Sequence, residues 1–318
     1  MPALGEPALQ LDPQMLSAGQ RYLESTAALR DLSALPVETV RAQLRAARAP
    51  WNEGGPEMAE TSDALLPGPG RPVPIRIHRP TREGRGPLTL FLHGGGFVVG
   101  DLDTHDRILR ELAVALDGPV VGLDYALGPE RPFPAAFEET VAAVAHLARQ
   151  GGEPGLEGPP MVLAGESAGA RLALAACLDP KVRALEAVGA CLLYYGSYGL
   201  ADSASRRLYA GGAFGLGESE LAFFRRHHLR SSGDASDPRL DPLSQDLSGL
   251  PPLFVAAAEL DPLRDDSLAL HWRLRAAGGR SRLSVAAGLP HGYLLFLSAV
   301  EAAAASLREG AAFARSLL

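Results

Sequence analysis

From residue 88 onward the chain alternates short apolar runs with stretches of helical periodicity, and this restricts its fold more than any other feature. Residues 88–92, 120–124, 161–164, 187–193, 253–258 and 283–286 read as strands, and 107–116, 135–150, 168–178, 267–277 and 299–318 as helices. The strand runs are apolar without a polar alternate, the pattern of a sheet covered on both faces by helices. A helix between successive strands makes them parallel neighbours through right-handed crossovers. The expected fold class is therefore α/β, with a mostly parallel central sheet flanked by helices. Functional residues are expected just beyond the carboxyl ends of the strands.

Two segments stand outside this alternation. Residues 1 to about 48 carry helical periodicity with no strand before them: amphipathic over 13–32, weaker over 37–48. Residues 197–238 interrupt the pattern just after a strand's carboxyl end and hold an amphipathic helix over 218–229. We expect the two to form a cap over the site, on a single domain spanning 1–318 whose core is 49–196 and 239–318. Between them, 51–72 is rich in Pro, Gly and acids and reads as a loop, while 73–78 alternates apolar and polar residues, as in a strand near a sheet edge where Pro74 is tolerated.

Several function classes are disfavoured. The net charge of −7 and the scatter of the arginines argue against a nucleic-acid partner. No apolar run approaches the ~18 residues of a membrane span. Residues 1–6 show neither a basic region nor an apolar one, so no signal peptide is read and a cytoplasmic location is expected. Cys177 and Cys191 have no metal-ligand spacing and read as buried free thiols. No metal or organic cofactor is expected.

The chemistry is expected around Gly165-Glu166-Ser167-Ala168-Gly169, which follows an apolar run and precedes a helix. A strand, a sharp turn and a helix would push the Ser167 side chain outward, and glycines on both sides let strand and helix close in. Ser167 would sit at a helix N-terminus, where the dipole favours developing negative charge. A serine hydroxyl needs a base, and the base an orienting acid. His291 follows the 283–286 strand in a loop with Pro290 and Gly292. The other histidines are poorer candidates: His227 and His228 on the cap helix, His146 and His271 within helices, His78 on the edge strand. For the acid, Asp261 stands in the turn after the 253–258 strand, with Asp265 or Glu259 behind it. Donors for an oxyanion are expected from His93-Gly94-Gly95-Gly96-Phe97, straight after the 88–92 strand: the N–H groups of Gly95 and Gly96, joined by that of Ala168. Gly94 is expected to shape the bend.

Taken together, these motifs resemble the hormone-sensitive-lipase-like esterases, the branch of α/β-hydrolases with an HGGG motif. The matching residues are His93-Gly94-Gly95-Gly96-Phe97, Asp124-Tyr125, Pro129-Glu130, Phe133-Pro134-Ala135-Ala136, the Ser167 motif, Asp237-Pro238-Arg239, Asp261-Pro262-Leu263-Arg264-Asp265 and His291-Gly292-Tyr293. The resemblance implies a serine carboxylesterase acting on short- to medium-chain esters through an acyl-enzyme, with a small-molecule ester as substrate and often a homodimer. Three positions depart from the family's pattern. Ala126-Leu127-Gly128 replaces the common Arg-Leu-Ala, which bears on support for the oxyanion loop; Glu166 stands where Asp is common; Ala170 stands where Gly is frequent. An amidase or deacetylase could use the same triad. A non-catalytic binding protein, like the plant gibberellin receptors that resemble this family, would lack the histidine that is present here as His291.

Overall fold

The computed structural model describes residues 10–318 except 30–31, 33–34, 82–83, 151–159 and 213. Its strands are β1 (Glu60–Leu66), β2 (Val73–Arg79), β3 (Thr89–Leu92), β4 (Val120–Leu123), β5 (Met161–Glu166), β6 (Val188–Tyr194), β7 (Leu253–Leu260) and β8 (Ser281–Pro290). They form one eight-stranded sheet in the order β1-β2-β4-β3-β5-β6-β7-β8. β2 pairs antiparallel with β1 and β4, and all other neighbours are parallel. The helices are α1 (Pro13–Ser25), α2 (Val37–Asn52), α3 (Asp106–Leu116), α4 (Ala135–Gln150), α5 (Ala168–Leu178), α6 (Pro180–Arg183), α7 (Ala204–Tyr209), α8 (Glu218–His228), α9 (Arg264–Ala276) and α10 (Glu301–Arg315).

The two-residue period of a strand sends neighbouring side chains to opposite faces, and here both faces are covered. Leu90, Leu92, Leu163 and Val255 join a core under α4, α5 and α9. Phe91, Val162, Ala164 and Phe254 join a second core under α3 and α10. This is why the central strands read as unbroken apolar runs. Cys177 and Cys191 lie inside the first core as free thiols, their sulfurs 3.3 Å apart. No described helix is long and apolar enough to cross a membrane.

The structure corrects four expectations. Residues 51–72 are not all loop: α2 runs to Asn52, and β1 lies within them. Asn52 ends the helix itself, its Nδ2 donating to the carbonyls of Arg48 and Thr104, both at 3.1 Å. β1 escaped notice because it is the outermost strand and largely exposed, so it carries no apolar alternation; its cross-strand pair is ionic, Arg76 Nε to Asp63 at 2.8 Å. As a consequence β2 lies near the edge as expected but one strand inside it, so His78 is not on the edge strand itself. Helical structure near the start is shorter than expected: α1 stops at Ser25, and a turn of 3₁₀ helix covers Ala27–Leu29. Within 197–238 a short helix, α7, precedes the expected one.

Of the two segments expected to form a cap, residues 1–9, 30–31, 33–34 and 213 lie outside the described residues. The remainder borders the carboxyl edge of the sheet. Val37 and Val40 of α2 and Phe223 of α8 form a small apolar cluster with Val98 and Val99, the residues that follow the triglycine bend. Asp266, at the start of α9, fastens the insertion to the core: its Oδ1 accepts the N–H groups of Tyr198, Gly199 and Leu200 at 2.6, 3.0 and 3.2 Å.

Candidate active site

β5 ends at Glu166 and α5 begins at Ala168, so the whole reversal falls on Ser167, whose φ of 54° and ψ of −117° lie where L-residues are strained. Sterics hold it there. A Cβ on Gly165 would meet the Gly169 carbonyl carbon at 2.5 Å, and one on Gly169 would meet the Leu92 carbonyl oxygen at 1.9 Å. Both glycines are therefore required by the close approach of α5 to β5 and β3. The N–H of Ser167 donates to the Tyr194 carbonyl at 2.9 Å, which fixes the turn against β6.

The expected partners converge on this serine. His291 Nε2 lies 2.8 Å from Ser167 Oγ, and His291 Nδ1 lies 2.8 Å from Asp261 Oδ2. The second oxygen of Asp261, a fully buried residue, accepts the Leu263 N–H at 2.8 Å. Register explains the meeting: Leu260 and Pro290 are partners on β7 and β8, so the residues that follow them emerge side by side. Burial alone would lower the His291 pKa; the adjacent Asp261 carboxylate, and Glu166 beyond it, outweigh burial and raise it above the ordinary value.

The substitute acids are employed elsewhere. Glu259 accepts the Gly288 N–H at 2.7 Å, and Asp265 accepts the Ser205 N–H at 2.9 Å. Nor is His228 a rival base. It is buried, its ring stacks on Phe97 at 4.1 Å, and burial, with Arg171 nearby, pushes its pKa down to about 3.

In the triglycine bend the three residues differ. The Gly94 N–H donates to Glu166 Oε1. The N–H groups of Gly95, Gly96 and Ala168 have no acceptor among the described residues, and these residues line the same cavity as Ser167 and His291. Positive φ values of 120° at Gly95 and 60° at Gly96 make the bend, which the N–H groups of Val98 and Val99 close onto the Gly95 carbonyl, each at 3.0 Å. A Cβ on Gly96 would meet the Phe224 ring of α8 at 2.2 Å, so the insertion packs directly on the bend.

Beneath the bend lies a polar network that the sequence did not announce. Glu166 Oε1 also meets His105 Nε2 at 3.1 Å. His93 stacks between Tyr125 and His105, with centroids 4.3 and 5.2 Å away, and the Tyr125 hydroxyl donates to the His93 carbonyl at 2.6 Å. Burial, then the neighbouring His105, pushes the His93 pKa down to about 3, so it stays neutral. Burial would raise the Glu166 pKa, but His105, then Arg48 and His291, pull it below the usual range, and the carboxylate is held ionised. Glu166 was visible only as a departure from the family pattern; no local signal pointed to His105.

The departure at 126–128 is compensated from elsewhere in the chain. The Ala126 N–H donates to the buried Glu139 at 2.7 Å, and Arg71 holds that carboxylate at 2.7 Å. Arg41 of α2 reaches the Val98 carbonyl through Nε and the Gly128 carbonyl through Nη2, both at 2.8 Å, and pairs with Glu130. Support for the bend thus comes partly from the N-terminal segment. Ala170 is fully buried against the first core, where its methyl fits.

The cavity over Ser167 has a volume of about 1120 Å³, and α1, α2, α7 and α8 all contribute to its walls. These helices contribute apolar residues, including Met15, Leu44, Leu221 and Phe224, beside polar ones such as Gln20, Arg48 and Glu220. No cluster of His, Cys, Asp and Glu side chains able to hold a metal ion occurs among the described residues. A serine–imidazole–carboxylate relay with a buried carboxylate, beside free N–H donors, is equipped for nucleophilic attack on a carbonyl carbon and stabilisation of the resulting oxyanion.

Comparison with known proteins agrees with this geometry. The family described as alpha/beta hydrolase fold matches residues 89–295. The chain is 38% identical over 281 residues to the acetyl esterase of Salmonella paratyphi B, an alignment covering 87% of this chain and 86% of that protein. A hyperthermophilic esterase from Pyrobaculum calidifontis superposes with a TM-score of 0.90 at 31% identity, covering 96% of this chain and 98% of that one. A thermostable carboxylesterase cloned from a metagenomic library superposes with a TM-score of 0.85 at 32% identity, covering 90% and 99%. The elbow, the relay and the glycine bend, together with these likenesses, establish that the chain belongs to the hormone-sensitive-lipase-like branch of the α/β-hydrolase family.

Proposed function

We propose that the protein is a serine carboxylesterase for short- to medium-chain esters, with Ser167 as nucleophile, His291 as general base and acid, and Asp261 as the group that orients the imidazole. The reading is carried by the continuous relay in which Ser167 Oγ, His291 and Asp261 are linked by contacts of 2.8 Å each. Ser167 attacks the ester carbonyl as its proton passes to His291 Nε2. The oxyanion is held by the N–H groups of Gly95, Gly96 and Ala168, each worth roughly 3 kcal/mol in the transition state. His291 then protonates the departing alcohol, and water repeats the sequence on the acyl-enzyme.

The first nine residues aside, the segments 1–48 and 197–238 act in this reading as a cap that shapes the substrate cavity; the contact of Phe224 with Gly96 supports it. We place the enzyme in the cytoplasm, acting as a homodimer. The exposed edge strand β8, with Val285 and the neighbouring Trp272 facing outward, supports that assembly. An amidase would need the same relay, and parallel assays on matched esters and amides separate the two. The primary test is hydrolysis of p-nitrophenyl acetate by the wild type and by Ser167→Ala, with a serine-directed phosphonate as a second probe. Turnover should vanish in the variant and after labelling; wild-type turnover in Ser167→Ala would overturn the proposal.

A further inference from the structure

Arg48, on α2, is buried, with 9% of its surface exposed, and it lines the cavity that holds Ser167. Its Nε and Nη1 are enclosed and have no hydrogen-bond partner among the described residues. The guanidinium has no carboxylate within ion-pair distance among the described residues. This sets it apart from the other arginines of the cavity wall. Arg171 donates to the Ser197 carbonyl at 2.7 Å; Arg206 donates to the carbonyls of Leu200 and Ala201 at 2.8 and 3.1 Å; Arg225 lies 4.0 Å from Glu218. A guanidinium is always charged and carries five donors in a fork suited to a carboxylate. Left buried without an acceptor, it is among the most unfavourable arrangements a protein can hold, and native structures reserve it for places where something else completes it.

Glu166, the buried carboxylate on which the Arg48 charge acts, is already engaged. Glu166 is held by the Gly94 N–H and by His105, and no contact joins it to Arg48 within 4 Å. The wall as a whole favours an anion: it carries Arg48, Arg171, Arg206 and Arg225 against Glu166 and Glu220. Such an excess in a low-dielectric recess concentrates negatively charged ligands.

We propose that Arg48 is an anion-recognition residue of this cavity and that the preferred substrates are esters carrying a carboxylate, bound with that carboxylate on the Arg48 guanidinium. The proposal rests on the esterase reading above and adds the substrate class to it. Arg48 and Ser167 line the same cavity, and the test below separates a carboxylate on the acyl group from one on the leaving alcohol.

The test compares four esters, two charged and two neutral, on the wild type, Arg48→Gln and Arg48→Lys. They are p-nitrophenyl butyrate, which is neutral; mono-p-nitrophenyl glutarate, with the charge on the acyl group; and acetoxyacetate, with the charge on the alcohol, followed by acid release and compared with ethyl acetate. The expected result is that kcat/KM for one anionic ester, relative to its neutral counterpart, falls roughly 10- to 100-fold in Arg48→Gln and is partly restored in Arg48→Lys. Which ester responds identifies the side. A purely structural arginine would reduce the neutral and charged esters in the same proportion, and that outcome overturns the proposal.

If Arg48→Gln does not fold, the wild type decides. Glutarate should inhibit butyrate ester hydrolysis competitively while the equally sized neutral glutaramide does not, and equal inhibition by the two overturns the proposal. Absence of turnover on every ester, neutral ones included, would instead remove the esterase reading itself.

Discussion

Glu166 and Gly94, 72 residues apart, are joined by a hydrogen bond from the glycine N–H to the carboxylate. One belongs to the serine elbow and the other to the triglycine bend, so this bond sets the two halves of the reaction centre in register. It leaves the N–H groups of Gly95 and Gly96, which line the cavity, as the donors of the bend without an acceptor among the described residues. A Cβ on Gly94 would meet the carboxylate at 2.1 Å, so that residue must be glycine for a reason different from its two neighbours.

Replacing Glu166 by Ala should therefore lower kcat on p-nitrophenyl acetate by about 10- to 100-fold, less than the roughly 100- to 1000-fold of a donor removed outright, with a smaller change in KM. Glu166→Gln, which keeps an oxygen for Gly94, should lose less. Equal kcat in the wild type and the alanine variant would mean that the bend holds its shape unaided.

The pH profile follows from His291. It must be neutral to accept the serine proton, and its pKa lies above the ordinary 6.5 because Asp261 outweighs the effect of burial. Activity should thus rise with pH along an acidic limb whose midpoint in kcat/KM is above 6.5. In Asp261→Asn the attraction is gone and burial remains, so the midpoint should move to lower pH even as the rate drops. An upward or absent shift in that variant would contradict the pairing.

Gly169→Ala should destabilise the fold by at least about 2 kcal/mol, since the added methyl is driven into a backbone oxygen that cannot swing aside. Chemical denaturation measures it. A neutral effect would show that α5 can move away from β3 without cost.

Asp266→Ala removes the acceptor for three consecutive N–H groups at 198–200. A loss of about 2–4 kcal/mol is expected, together with faster amide exchange at those residues than at the sheet centre. Unchanged exchange there would separate the insertion's order from this carboxylate.

The sequence alone determined the features that depend on near neighbours. The alternation of apolar runs with helical periods exposed the covered parallel sheet, because a strand buried on both faces must be apolar at every position. The Gly-x-Ser-x-Gly turn, the Asp261 turn and the His291 loop were legible for the same reason, as each is written in a few consecutive residues at a strand end. What tertiary structure decided was everything set by register and by distance along the chain. β1 is exposed and polar, so no local pattern distinguishes it from a loop; pairing with β2 alone makes it a strand. The Glu166–His105 pair, the reach of Arg41 to the bend and the isolation of Arg48 depend on which distant groups fold to within hydrogen-bonding distance. A hydrogen bond is satisfied or left open by geometry of a few tenths of an ångström, and no spacing along a chain encodes that.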